Sequence, residues 1–372
     1  MTARRRVAVI FGGRSAEHEV SVISARAVID ALDPEHYEVV AIGIDRGGRW
    51  HLLDGPPELP AGAPTGSLAA VAEDAGRAVS LSSEPGDRAL VSEDGERADF
   101  DVVFPVLHGP FGEDGTIQGL LELAGIPYVG AGVLASAVGM DKAVQKTLFR
   151  SVGLPVVPHL VVTEPDWEDD PEQTGARTEA LGFPVFVKPS SLGSSVGITK
   201  VKQLDGLDDA LAEAFRHGRK ALVEKGMDGF REIECAVLGN DEPVASVPGE
   251  VIAAGEFYDY RAKYLDQNTV IEVPASLTPA TVEAVQRMAV AAFRATECEG
   301  MARVDFFVRE PGELYVNEIN TIPGFTGVSM YPMMWRASGL SYSDLVDRLV
   351  ELAIERHERE AARASRAAPP GP

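Results

Sequence analysis

Short apolar runs separated by helix-length stretches pattern the N-terminal part of the chain. Residues 6–11, 38–44 and 100–107 are rich in Val and Ile and end at Gly or Asp, the mark of strands buried on both faces. Strands spaced this way predict βαβ units and a mostly parallel sheet. Residues 55–97, dense in Pro, Gly, Ala and acid, read as a variable surface insertion. From Met140 onward the pattern changes. A helix is expected over 141–152, stopped by Gly153 and Pro155, then strands at 184–188 and 221–224 with an amphipathic helix at 207–215 between them. A strand over 231–238 opens a third region, and Thr278 followed by Pro279 signals the start of a long helix. Two further strands and a helix near 342–356 follow. Residues 361–372 lack periodicity and are expected to be disordered. No internal repeat is visible.

With 372 residues, 45% hydrophobic and 24% charged, the chain has the composition of a globular protein of two or three domains. Its net charge of −23 argues against nucleic acid or an anionic membrane as partner. Any phosphate-bearing ligand therefore needs Lys, Arg or metal concentrated locally, with acid such as the 164–172 segment confined to loops. Cys235 and Cys298 form no CxxC pair and suit small buried hydrophobes in a reducing compartment. The basic start, Arg4 to Arg6, leads into an apolar run shorter than the ~7–15 residues of a secretory signal core. No apolar run approaches the ~18 residues that cross a bilayer. A cytoplasmic protein is expected.

The chemistry concentrates in four segments. In the first, residues 300–308 and 314–320 flank Pro311-Gly312 and read as a β-hairpin. Alternate residues share a face of a strand, so Arg303 pairs with Asp305 and Glu318 with Asn320. If the turn sets Glu310 against Glu313, Asp305 stands opposite Glu318 and Arg303 opposite Asn320. Two facing carboxylates repel unless something positive lies between them. Two carboxylates and an amide oxygen suit Mg²⁺ rather than Zn²⁺. An exposed hairpin face with solvated charges would also fit this segment alone. The second is Val187-Lys188-Pro189-Ser190-Ser191-Leu192-Gly193-Ser194-Ser195-Val196-Gly197, a strand that delivers a lysine into a Ser/Gly loop whose N–H groups suit phosphate oxygens. It is not a Walker A loop, and a plain flexible loop is the alternative.

The third, GGRSAEHEVS at 12–21, follows the first strand and opens a helix. A dinucleotide-binding turn fails here, because the GxGxxG spacing and the acid about 20 residues later are both missing. Glu17 at a helix start favours an ammonium ligand, unless the segment is only a capping turn. The fourth, His108-Gly109-Pro110-Phe111-Gly112, lies at the carboxyl end of a buried strand, where open α/β sheets place ligands.

In order along the chain, GGRSAEHEVS (12–21), LHGPFGEDGTIQGLLE (107–122), MDK (140–142), VKPSSLGSSVGI (187–198), FYDYRAKY (257–264), RVDFF (303–307) and NEINTIPGFT (317–326) resemble the D-alanine–D-alanine ligase family of the ATP-grasp superfamily. The resemblance implies an α/β and α+β protein: an N-terminal open, mostly parallel α/β substrate domain (1–138), a central ATP-grasp lid (139–227), a C-terminal ATP-grasp catalytic domain (228–360) and a tail (361–372). It implies ATP as substrate, held by Lys142, Lys188, Ser194, Ser195, Asn317, the adenine acid Glu224 and the ribose acid Glu232. Asp305, Glu318 and Asn320 would hold two Mg²⁺ or Mn²⁺ ions, with monovalent-cation activation left open. Glu17 would bind the first D-alanine's ammonium near His108. Lys263, Tyr264 and Ser329 complete the substrate set, and Arg303 with the Gly324 N–H would face the reacting carboxylate.

The implied reaction is attack of one D-alanine carboxylate on the γ-phosphate of ATP, then attack of the second amine on the acyl phosphate. Ser194 is drawn to the same centre. A homodimer is implied by analogy. The alternatives are a D-alanine–D-lactate ligase, whose relatives differ in the loop holding Tyr264, a nicotinamide-dependent oxidoreductase on the N-terminal βαβ unit, and a non-catalytic ATP-binding regulator.

Overall fold

The computed structural model describes residues 4–59, 70–82, 84–193, 196–252 and 270–367. Strand β1 (Arg5–Gly12) is the buried run expected, with Val7 to Phe11 no more than 1% exposed. Gly12 ends it at φ +89°, and a Cβ there would lie 2.3 Å from the Ile44 carbonyl oxygen, so the chain can leave for helix α1 (His18–Ala31) only through glycine. Strand β2 (Tyr37–Ile44) then returns parallel to β1. Beyond it come β3 (Trp50–Leu52), β4 (Arg77–Leu81), β5 (Ala89–Ser92) and β6 (Arg97–Asp99), each antiparallel to its predecessor. Strand β7 (Val102–Val106) joins the other side of β1 in parallel, giving the order β6-β5-β4-β3-β2-β1-β7.

The parallel arrangement thus holds for β2-β1-β7, while the sheet as a whole is mixed. Connection length accounts for three of these pairings: the β2–β3, β4–β5 and β5–β6 links run four to seven residues, enough only for hairpin returns, whereas a parallel return needs a longer crossover. The 55–97 segment is correspondingly more than a surface insertion, because it supplies two of the seven strands, β4 and β5, the first residue of β6 and the buried Leu90.

Helices α2 (Thr116–Leu123) and α3 (Val133–Met140) lead to α4 (Lys142–Ser151). Asp141 caps α4 by accepting from the N–H groups of Ala143 and Val144. The second sheet holds β8 (His159–Thr163), β9 (Val185–Pro189), β10 (Thr199–Val201) and β11 (Lys220–Lys225), in the antiparallel order β10-β9-β11-β8. The acidic segment after β8 is helical rather than a loop. It forms α5 (Glu164–Asp169) and the start of α6 (Pro171–Leu181), capped by Thr163 and Asp170, so Glu164, Asp166 and Glu172 lie in first turns where the helix dipole favours them. Helix α7 (Leu207–Phe215) covers β9 with Leu207, Ala210, Leu211 and Ala214.

The third sheet comprises β12 (Arg231–Gly239), β13 (Val244–Ala245), β14 (Gly249–Ile252), β15 (Val270–Glu272), β16 (Gly300–Arg309) and β17 (Glu313–Asn320). Its main path runs β15-β14-β12-β16-β17. One face, with Ile233, Cys235, Val304, Phe306, Val316 and Ile319, packs on α8 (Pro279–Ala295) through Val285, Ala289, Ala292 and Phe293. Thr278 caps α8 as its sequence signals, accepting from the Thr281 N–H. Helices α9 (Met330–Ala337) and α10 (Tyr342–Ala367) close the chain. Residues 361–367, expected to be disordered, continue α10: Ala and Arg favour helix, and a helix already anchored by Leu345, Val346, Leu349 and Val350 elongates without a new nucleus.

Candidate active site

The β16–β17 hairpin has the register expected at its inner end, Asp305 against Glu318 and Arg303 against Asn320. At the tip it differs, because Arg309, not Glu310, faces Glu313. A bulge between Asp305 and Phe306 absorbs the offset. On β17 the bulge falls at Asn317, where Val316 and Ile319 reach the same core although three positions apart. Regular pleating would forbid that, and the spacing of these two residues is the sequence signal for the bulge. It leaves Asn317, Glu318 and Asn320 all lining the opposite face.

That face borders a cleft of about 360 Å³ between the second and third sheets, within the ~300–1,000 Å³ of small-molecule sites. Lys142, Lys188, Glu224, Glu232, Asp305, Asn317, Glu318 and Asn320 line it. A smaller chamber of about 100 Å³ adjoins it, lined among others by Glu17, His108, Arg303, Gly324 and Ser329. Gly193, Glu234 and Asn320 border both. Every described residue singled out from sequence therefore falls on one or other chamber. Ser194, Ser195, Lys263 and Tyr264 lie outside the described residues.

Charge in the larger chamber is arranged in tight pairs. Lys142 Nζ lies 2.9 Å from Glu318 Oε2 and donates to the Leu192 carbonyl at 2.9 Å. Glu224 pairs with Lys146 at 2.7 Å through one oxygen and with Lys188 through the other. Lys146, one turn beyond Lys142 on α4 and fully buried, also donates to the Asn317 carbonyl at 2.6 Å and so clamps the bulge. Burial, with Lys188 nearby, lowers Lys146 to about 8. Burial works against ionising Glu224, but the two lysines outweigh it and hold the carboxyl at about 2 instead of its ordinary 4.5. Its folded value lies below its unfolded one, so the pairing stabilises the fold above about pH 4.5 and is lost as pH falls towards 2. The melting-temperature advantage of the parent over Glu224→Gln should accordingly shrink over that interval. An advantage independent of pH would rule this pairing out.

Asp305 accepts from Arg303 Nε and Nη2 at 2.7 Å each and from Asn320 Nδ2 at 3.1 Å. Asn320 thus keeps its amide oxygen for another partner. Burial alone would lower Arg303, but Asp305 and Glu234 raise it well above its ordinary value, so it stays charged. Among the described residues no group of three or more His, Cys, Asp or Glu side chains could hold a metal by itself. Two carboxylates on facing strands with an amide oxygen beside them do fit a hard divalent cation that takes its other ligands from phosphate and water.

In the smaller chamber, His108 Nδ1 lies 3.9 Å from Glu113 Oε1, and Glu113 Oε2 accepts the Gly109 N–H at 2.9 Å. Burial opposes charge on His108, yet Glu113 and Glu17 raise it, while Glu113 is itself raised by burial and then by Glu17. Gly109 has φ +75°, and a Cβ on it would meet Ser15 Oγ at 2.8 Å and Glu17 Oε2 at 2.9 Å. Only glycine lets this loop approach Glu17 so closely. Lys146, Glu113 and Glu234 are the participants that sequence reading passed over. Helical spacing from Lys142 points to the first, and strand spacing from Glu232 to the third.

Two sheets facing each other across a cleft, with lysines on one and a carboxylate-bearing hairpin on the other, define an ATP-grasp protein. The family models described as D-ala D-ala ligase N-terminus and C-terminus match residues 6–131 and 148–351. A D-alanine–D-alanine ligase of Streptomyces avermitilis is 53% identical over 367 residues, covering 94% of each chain. The solved D-alanine–D-alanine ligase of Coxiella burnetii superposes with a TM-score of 0.83 at 40% identity, covering 97% of both chains. VanG, a D-Ala:D-Ser ligase of Enterococcus faecalis, gives 0.82 at 36% identity, covering 94% of this chain and all of that one. The chain belongs to the D-alanine–D-alanine ligase family.

Proposed function

We propose that this protein joins two D-alanine molecules into D-alanyl-D-alanine for peptidoglycan precursor synthesis, using ATP and releasing ADP and phosphate. The observation that carries the reading is the convergence of Lys142, Lys188, Asp305, Glu318 and Asn320 on one cleft that shares Glu234, Asn320 and Gly193 with a chamber lined by Glu17, His108 and Arg303. Nucleotide phosphates fit the first and an amino acid the second. Asp305, Glu318 and Asn320 would hold Mg²⁺ or Mn²⁺, in a two-ion arrangement. When bound, the ions neutralise phosphate charge during transfer.

Lys142 and Lys188 orient the phosphates, Glu224 meets the adenine, Glu232 the ribose, and Ser194, Ser195 and Asn317 complete the nucleotide site. Glu17 holds the first D-alanine's ammonium beside His108, so its carboxylate reaches the γ-phosphate and becomes an acyl phosphate. The second D-alanine's amine, placed with the help of Lys263, Tyr264 and Ser329, attacks the acyl carbon, and phosphate leaves. Arg303 and the Gly324 N–H stabilise the tetrahedral oxyanion. The reading takes in an N-terminal substrate domain, a central lid and a C-terminal catalytic domain, and a cytoplasmic homodimer.

Coupled ADP release with a panel of D- and L-amino acids tests it, and D-alanine alone should support full turnover. With D-alanine, D-lactate and D-serine competing at neutral pH, D-alanyl-D-alanine should dominate. A predominant depsipeptide or D-serine product would overturn the choice of second substrate, and amino-acid-independent ADP release would overturn the ligase itself.

A further inference from the structure

Glu234 on β12 stands in register with Asp305 on β16, which stands in register with Glu318 on β17. Three carboxylates therefore form one row across three neighbouring strands. Lys142 attends to Glu318, whereas Arg303 is shared: it forks onto Asp305 at 2.7 Å, and its Nε also lies 3.0 Å from Glu234 Oε2. Glu234 is only 6% exposed and borders both chambers.

Asp305 already accepts three donors, two of them from the Arg303 fork, so a divalent cation arriving on its oxygens must displace or crowd that fork. Cation and guanidinium thus compete for one carboxylate. Arg303 cannot shed its charge, and a buried charge that loses its partner is costly unless another lies within reach. The only other carboxylate that the described contacts give Arg303 is Glu234, on the side of the smaller chamber.

We propose that Glu234 is a positioning residue that retains Arg303 when Asp305 engages the cation, keeping the guanidinium aimed at the acyl-transfer chamber. This rests on the reading of Asp305 and Glu318 as metal ligands. Without Glu234, Arg303 holds Asp305 more tightly and the cation competes less well.

The test is a double-mutant cycle read by Mn²⁺ affinity in the ADP complex, using electron paramagnetic resonance. Glu234→Gln should weaken Mn²⁺ by about tenfold, the usual size for a partner behind a metal ligand, with metal-free ADP binding unchanged. In an Arg303→Met background the same change should alter Mn²⁺ affinity by less than about twofold, since no fork remains to be retained. Equal losses in both backgrounds would mean that Glu234 acts through its own charge, and no loss in either would mean that it does not act; both overturn the proposal. Glu234→Asp, which withdraws the carboxylate from Arg303, serves the same cycle should glutamine not be tolerated. Failure of the parent protein to bind Mn²⁺ with ADP would instead remove the metal reading beneath it.

Discussion

Asp305→Ala and Glu318→Ala are each expected to lower kcat by about a thousandfold or more, equivalent to ~4 kcal/mol of transition-state stabilisation. The two side chains face each other across the hairpin, and each is now neutralised by a cation that nucleotide and metal would have to rearrange. Losing either leaves one carboxylate and one amide oxygen, too few to anchor a cation that carries phosphates. Mn²⁺ affinity in the ADP complex should fall in parallel with turnover. Near-normal turnover in either variant at saturating Mg²⁺ would show that the hairpin is not the metal site.

Arg303→Met should produce the opposite pairing of effects. Removing a donor aimed at a developing oxyanion costs about 10²–10³-fold in kcat. Metal affinity, however, should hold or rise, because the guanidinium that competes for Asp305 is gone. Stability should drop by ~3–5 kcal/mol, since Asp305 and Glu234 are left buried without their shared partner. Arg303→Lys should restore much of the stability and little of the rate, a point charge being no substitute for a planar fork. Loss of Mn²⁺ binding in the folded Met variant would show that Arg303 supports the metal rather than competing with it.

The sequence made the chemistry more legible than the connectivity. Buried strands such as β1 and β9 announce themselves as short apolar runs, Val7 to Phe11 and Val185 to Val187, and Thr278-Pro279 marks the start of α8 to the residue. The facing of Asp305 and Glu318 was also readable, but by cancellation. The turn is one residue off the simple count, and the bulge restores the register beyond it. Strands β4 and β6 were illegible because they are short and largely exposed, and their inward residues, Val79 and Leu81 in one and Ala98 in the other, are too few to mark a strand. Lys146 and Glu234 escaped for another reason. Local spacing places each beside a predicted site residue, but their roles lie in partners far along the chain, the Asn317 carbonyl for one and the Arg303 guanidinium for the other, which spacing does not name.

The bulge at Asn317 makes the hairpin's length a chemical quantity. Its tip, Pro311 and Gly312, borders neither chamber and can be rebuilt or lengthened with little consequence for the site. Along the stem between the kink and Thr321, one residue added or removed would exchange Glu318 for Ile319, greasing the cleft and charging the core together.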